Sequence, residues 1–168
     1  MSESSLQFSL TQAANSELCE AMRRIRNCVS QLNEEQLWWR CDDSMNSIAN
    51  LLLHLSGNVR QWIIAGVGCE LDLRKRQAEF DARGSESGTD LMKQIDDTVA
   101  RACEILSQVS EDDLVRVRTI QDFQVSGSRA ILHSVAHFQG HTQEIVHITR
   151  RLLGEQYEFY FVPNERQC

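Results

Sequence analysis

Apolar residues recur along this chain at alternating spacings of three and four, and they do so over four long stretches. Leu18, Met22, Ile25, Val29 and Leu32 repeat at four-three-four-three, the seam of a helix packed in a bundle. They predict a first helix from about Thr11 or Asn15 to Leu32. Ile48, Leu52, Leu55, Val59, Trp62 and Ile63 form a second stripe, predicting a helix from Asn46 or Ser47 to Ala65 that Gly66 and Gly68 end. Leu91, Ile95, Val99, Ala102 and Val109 predict a third helix from Thr89, a plausible N-cap, to Val109. The fourth runs from Ser128 to Gly154, with Ser134, Phe138, His141, Ile145, Ile148 and Leu152 on one face.

Between these stretches the pattern changes. Residues 33–37 and 110–114 read as brief helical starts. Residues 69–88 carry little apolar content and read as a long connection, and loops of that length are often functional. Residues 115–126 alternate with period two, predicting a small hairpin before the last helix. The aromatic tail after Gly154 is expected to pack back onto the bundle. Trp38 and Trp39 lie in a connection, where they close one end of a core or wall a ligand.

Length suits one domain spanning 1–168, all-α, built as a four-helix bundle. The single proline, Pro163, leaves few helix breakers. A net charge of −7 argues against nonspecific nucleic-acid binding, which depends on phosphate neutralisation by Lys and Arg. The short basic runs at 23–26 and 74–76 read as solvated helix faces. No apolar run reaches the ~18 residues of a membrane span, and the first residues lack a leader pattern. The expectation is a cytoplasmic protein with its six cysteines reduced. Cys19, Cys28 and Cys103 fall in helices as small hydrophobes, and Cys168 is a terminal thiol.

The candidate chemistry is in the histidines. Four of five lie in the last helix: His133, His137, His141 and His147. His137 and His141 sit one turn apart, with Cβ atoms about 5–6 Å from each other, so both rings can reach one metal ion at about 2.0–2.1 Å. Two core histidines bonded to other side chains would show the same spacing. His133 and His147 fall off the stripe. Position 138 is Phe, so the pair is not the HExxH of zinc proteases. His54 sits on the shoulder of the second stripe and, in a bundle, could face His137 and His141.

EEQLWWR at 34–40, NSIANLLLHLSGNVRQWI at 46–63, RQAEF at 76–80 and AHFQGHTQEIVHITRRLLG at 136–154 resemble, in order, the DinB/YfiT-like superfamily. That resemblance implies a four-helix bundle with a divalent metal (Ni, Zn or Fe) held by His54, His137 and His141. It also implies a homodimer acting on a small-molecule substrate. RQAEF departs from the RDAEF expected in this branch, placing Gln77 where an acid is expected. Gln143 and Glu144 replace a Gly-Gln pair. Three ligands leave a fourth position open, as in catalytic sites. Some relatives are metal-dependent transferases of low-molecular-weight thiols, so the implied reaction is hydrolysis or thiol transfer. Asn58, Glu79 and Gly140 are the candidate substrate or supporting residues, with Glu144 expected to point away from His141. The alternative is a noncatalytic, metal-stabilised, stress-related dimer.

Overall fold

The structure is a computed structural model and describes residues 5–161. Seven α-helices and one hairpin form among the described residues. Four of the helices are the main ones: α1 (Leu6–Val29), α3 (Ile48–Val59), α5 (Gly88–Gln108) and α7 (Gly127–Leu153). Helix α2 (Glu34–Trp38) follows α1, α4 (Arg76–Asp81) interrupts the long connection, and α6 (Glu111–Val115) precedes the hairpin. In the hairpin, β1 (Val117–Ile120) pairs antiparallel with β2 (Phe123–Ser126), Ile120 opposite Phe123. Helix α1 packs on α5 and α7, and α3 packs on the same two, so the four long helices close a ring around one core. Leu18, Met22, Ile25, Leu52, Leu55, Ile95, Leu106 and Phe138 are fully buried in it.

The helix starts follow their caps rather than the apolar stripes. The Ser5 side chain accepts from the Phe8 amide, so α1 begins five residues before the predicted Thr11. It ends at Val29 rather than Leu32. Ser47 caps α3, and its hydroxyl accepts from the Asn50 amide. Helix α5 is capped by Ser87, not Thr89, and α7 by Ser126, not Ser128. Gly154 ends α7 with φ 56°, a left-handed conformation in which glycine is free of Cβ strain. After Val59 the second predicted helix widens into a π-helical turn, Arg60–Ala65. Such turns are uncommon and often border functional residues.

The inward face of α7 is rotated from the predicted stripe. Ser134, Phe138 and Ile145 are buried as expected, but Thr142 and Thr149 share the core with them, while His141 and Ile148 sit half-buried at its edge. Both threonine hydroxyls donate to the carbonyl one turn back, Phe138 and Ile145, at 2.8 Å. A buried hydroxyl satisfied within its own helix carries little penalty, so these polar letters conceal interior positions. Of the cysteines read as small hydrophobes, Cys28 is buried and Cys103 packs against the core, but Cys19 is exposed. The tail does return: the Glu158 carbonyl accepts from Asn27 Nδ2 and Gln31 Nε2 at 2.9 and 3.0 Å. Pro163 and Cys168 lie outside the described residues.

Candidate metal centre

Helix α3 buries every residue but Gly57. A helix apolar on one stripe would leave His54 on its shoulder in water; instead His54 is 5% exposed. The cover comes from α4 and the segment before it. Asn50, one turn before His54, donates through Nδ2 to the Glu79 and Ala82 carbonyls at 2.8 and 3.2 Å. Its Oδ1 accepts from Arg40 Nη2 and the Ser47 hydroxyl, each at 2.6 Å. Asn50, fully buried, thus fastens the end of α4 to α3 and lays Glu79 and Phe80 over His54. The His54 and Phe80 ring centroids are 4.8 Å apart.

From α7, His137 and His141 come up on the other side. Nε2 of His137 lies 2.9 Å from Nε2 of His54. One donor atom from each of His54, His137 and His141 falls within 4.8 Å of the others. Zn–N distances of about 2.0–2.1 Å in a tetrahedral site put nitrogens about 3.4 Å apart. The spacings in the protein, from 2.9 Å for the His54–His137 pair to at most 4.8 Å, bracket that value.

Two carboxylates fix which nitrogens face inward. Nδ1 of His54 lies 2.9 Å from Glu79 Oε2. Arg74 Nη2 approaches the same Nδ1 at 3.2 Å but donates to Glu79 Oε2 at 2.8 Å. An unprotonated Nδ1 would face the carboxylate lone pair to lone pair, so the network assigns the proton to Nδ1. Nε2 of His54 is then a free lone pair aimed at His137. Nδ1 of His141 bonds Glu144 Oε2 at 2.7 Å, which likewise leaves its Nε2 unprotonated. This corrects the expectation that Glu144 points away from His141: the two are i and i+3 on one helix, which brings their side chains together. Without a metal, Nε2–H of His137 can donate to the His54 lone pair; with that proton displaced, the same nitrogens can share a cation. Histidine ligands whose far nitrogen is held by carboxylate are the usual support of a metal, so the donor set fits a divalent ion.

The electrostatics agree. Burial works to raise the Glu79 carboxyl, but hydrogen bonds and charge from Arg74 and His54 overturn it and hold it below the usual carboxylate range. Burial first, then the neighbouring His141 and His54, drive His137 down to about 3. A neutral imidazole at ordinary pH is what metal ligation requires. The folded state therefore refuses a proton that unfolded His137 accepts near 6.5. Stability of the metal-free protein should hold above about pH 6.5 and decline as pH falls toward 3. Denaturant titrations across that range measure it, and a flat profile would contradict it.

The remaining predicted residues fall as follows. Asn58 is buried and accepts from the Ser134 hydroxyl at 3.0 Å, joining α3 to α7 beside the histidines. Gly140 is exposed on α7, and a side chain there would meet open space, so no neighbouring helix needs its absence. Gln77 faces solvent and donates to Asp81. His133 is outside the triad; its ring stacks on Trp62 of the π-helical turn with centroids 3.9 Å apart. His147 is exposed. Trp38 closes a connection, donating from Nε1 to the Glu86 carbonyl at 3.1 Å.

Arg74 corrects the reading of residues 74–76 as a solvated face: its side chain is 3% exposed. It grips Glu79 with Nε on Oε1 at 2.7 Å and Nη2 on Oε2, and Nη1 donates to Gln61 Oε1 at 2.9 Å. An arginine in a polar run carries no burial signal in sequence; only the tertiary cover of α3 reveals it. Behind the Arg74–Glu79 pair lies a cavity of about 650 Å3, bordered by Leu53, Arg60 and Ile64. None of the three histidines lines it.

Four long helices close a ring, and histidines from α3 and α7 converge at one edge of it: a helical protein with a candidate three-histidine metal centre. The family description "Protein of unknown function (DUF1572)" matches residues 7–166, and the chain belongs to that family, within the DinB/YfiT superfamily. Among solved structures, a histidine-to-alanine mutant of the mycothiol-dependent maleylpyruvate isomerase has a similar fold. Its TM-score is 0.59 at 13% identity, over 85% of this chain and 67% of that one. No curated protein matches in sequence.

Proposed function

We propose that this protein is a metal-dependent enzyme acting on a small molecule, by hydrolysis or by transfer of a low-molecular-weight thiol. The observation that carries the reading is the convergence of His54, His137 and His141, two of them held at Nδ1 by Glu79 and Glu144. A divalent ion on three imidazoles supplies Lewis-acid activation of a water or thiol at its remaining position. Imidazole ligation suits nickel, zinc or iron. His141 and Glu144 leave that edge open to solvent, with side chains 24% and 36% exposed.

The protein's own residues do the rest. Glu79 and Glu144 hold two imidazoles in the tautomer that presents Nε2, and burial keeps His137 free of a proton. Phe80 and α4 exclude water from the His54 side. Thiol chemistry enters from the fold neighbour, which by name depends on mycothiol. Burial pushes the Cys28 thiol up, and burial first, then Cys19, pushes Cys103 up to about 11. Neither serves as a thiolate at neutral pH.

Elemental analysis of tag-free protein should find about one first-row divalent ion per chain, as a three-histidine site holds one. Turnover in a series of thiols and electrophiles should vanish with chelator and return with metal. Absence of metal both as purified and on titration would sink the reading; metal without turnover across the series would favour the noncatalytic bundle. The same reading includes a homodimer, supported by Phe159 and Phe161 at the tail, 57% and 71% exposed. Light scattering should give twice the chain mass, and a monomer at high micromolar concentration would count against it. No helix among the described residues is long and apolar enough to cross a membrane.

A further inference from the structure

We propose that Gly57 is a positioning residue for the metal centre: its missing side chain is the seat on which Glu79 and Arg74 rest while they hold His54. This rests on the three-histidine reading above. Asn50, His54 and Gly57 on α3 and Gln61 at the start of the π-helical turn follow one another at spacings of four, three and four, so they share the face that α4 and its lead-in cover. Three of them bond to that cover. Asn50 holds the Glu79 and Ala82 carbonyls, His54 meets Glu79 Oε2, and Gln61 receives Arg74 Nη1. Gly57 contributes no group at all, yet it lies at the centre of the stripe. A Cβ there would overlap Glu79 Oε1 and come within 2.8 Å of Glu79 Cδ and 2.9 Å of Arg74 Nε.

Mid-helix glycine weakens a helix relative to alanine, and here φ is not in the left-handed range that would call for it. The reason for glycine at this position is therefore the approach of the carboxylate–guanidinium pair. The three atoms that a Cβ would crowd belong to the long side chains of Glu79 and Arg74, which can swing aside without disturbing the apolar core. The fold should tolerate alanine, whereas the site should not: Glu79 moved off Gly57 is also moved off Nδ1 of His54. The His141–Glu144 contact has no such seat. It is half-exposed and local to α7, so the two carboxylate supports are unequal and the buried one depends on Gly57.

The test uses metal-free wild type, Gly57→Ala, Glu79→Gln and the double variant, each titrated with Co2+ and followed by visible absorption. Loss of a carboxylate supporting a metal histidine weakens metal binding about 10–100-fold, and each single variant should lose that much. Because both act through one contact, the double variant should bind no more weakly than the weaker single variant. Metal-free Gly57→Ala should stay folded, with a helical circular dichroism spectrum like that of wild type. Nitrogen-15 spectra of the metal-free proteins should show His54 protonated at Nδ1 in wild type and a mixture of tautomers in Gly57→Ala. Wild-type Co2+ affinity in Gly57→Ala, additive losses in the double variant, or loss of the helical spectrum in Gly57→Ala would each overturn the proposal. If wild type itself takes up no Co2+, the three-histidine reading falls and this one with it. If wild type binds and Gly57→Ala binds equally, only the role of Gly57 falls.

Discussion

Replacing His137 with alanine is expected to reduce bound metal from about one ion per chain to background, because two of three ligands do not hold a divalent ion against water. His137 is the middle of the set: its ring centroid lies 4.9 Å from that of His54 and 4.5 Å from that of His141. His141→Ala should have the same effect. The metal-free variants should stay folded, since both side chains sit at the edge of the core rather than in it. His147→Ala should leave metal content unchanged. His133→Ala should leave it largely intact, because His133 reaches the triad only by stacking on His137 at 5.9 Å between centroids. Elemental analysis of the four purified variants decides the matter. Equal loss in all four would mean that the ligand set is misassigned.

The second large effect belongs to Asn50→Leu, which keeps the number of side-chain heavy atoms at a fully buried position one turn from His54. It removes the donor that serves the Glu79 and Ala82 carbonyls and the acceptor that serves Ser47 and Arg40. Each buried polar group left without a partner costs about 1–3 kcal/mol. Water can reach part of Arg40 and the end of α4, so a net loss of about 3 kcal/mol is expected from the groups that stay dry. In a chain of this length that is a fall of about 6–12 °C in Tm. Metal affinity should fall as well, because α4 is what lays Glu79 against His54. Denaturant unfolding with the metal-free protein measures the first effect and Co2+ titration the second. A loss under about 1 kcal/mol would mean that Asn50 is not the fastening.

The four long helices were legible because a helix half-buried in a bundle must repeat its apolar residues every three to four positions. Leu18, Met22 and Ile25 do so, as do Ile48, Leu52 and Leu55. The triad was legible for a related reason. His137 and His141 are one turn apart, and the resemblance to a known superfamily supplied His54. What supports the triad was not. Arg74, Asn50 and Gly57 are polar or small residues whose burial depends on a segment packing over α3, and that segment, 69–88, shows no periodicity of its own. Thr142 and Thr149 were missed because a threonine hydroxyl bonded to its own helix can occupy a core position while reading as polar. Glu144 was misplaced by treating α7 as a flat stripe: at i+3 from His141 it lies close enough for their side chains to bond. Local periodicity reports the faces of helices, whereas the second layer of a site is made of contacts between segments distant in sequence.

The most direct test of the metal centre is a crystal structure of the protein loaded with zinc or nickel, with data collected on either side of that metal's absorption edge. The three-histidine centre predicts one anomalous peak, about 2.0–2.2 Å from a ring nitrogen of each of His54, His137 and His141, with no fourth protein side chain bound. No peak at the triad, or a peak enclosed by a fourth ligand such as Glu144, would contradict it.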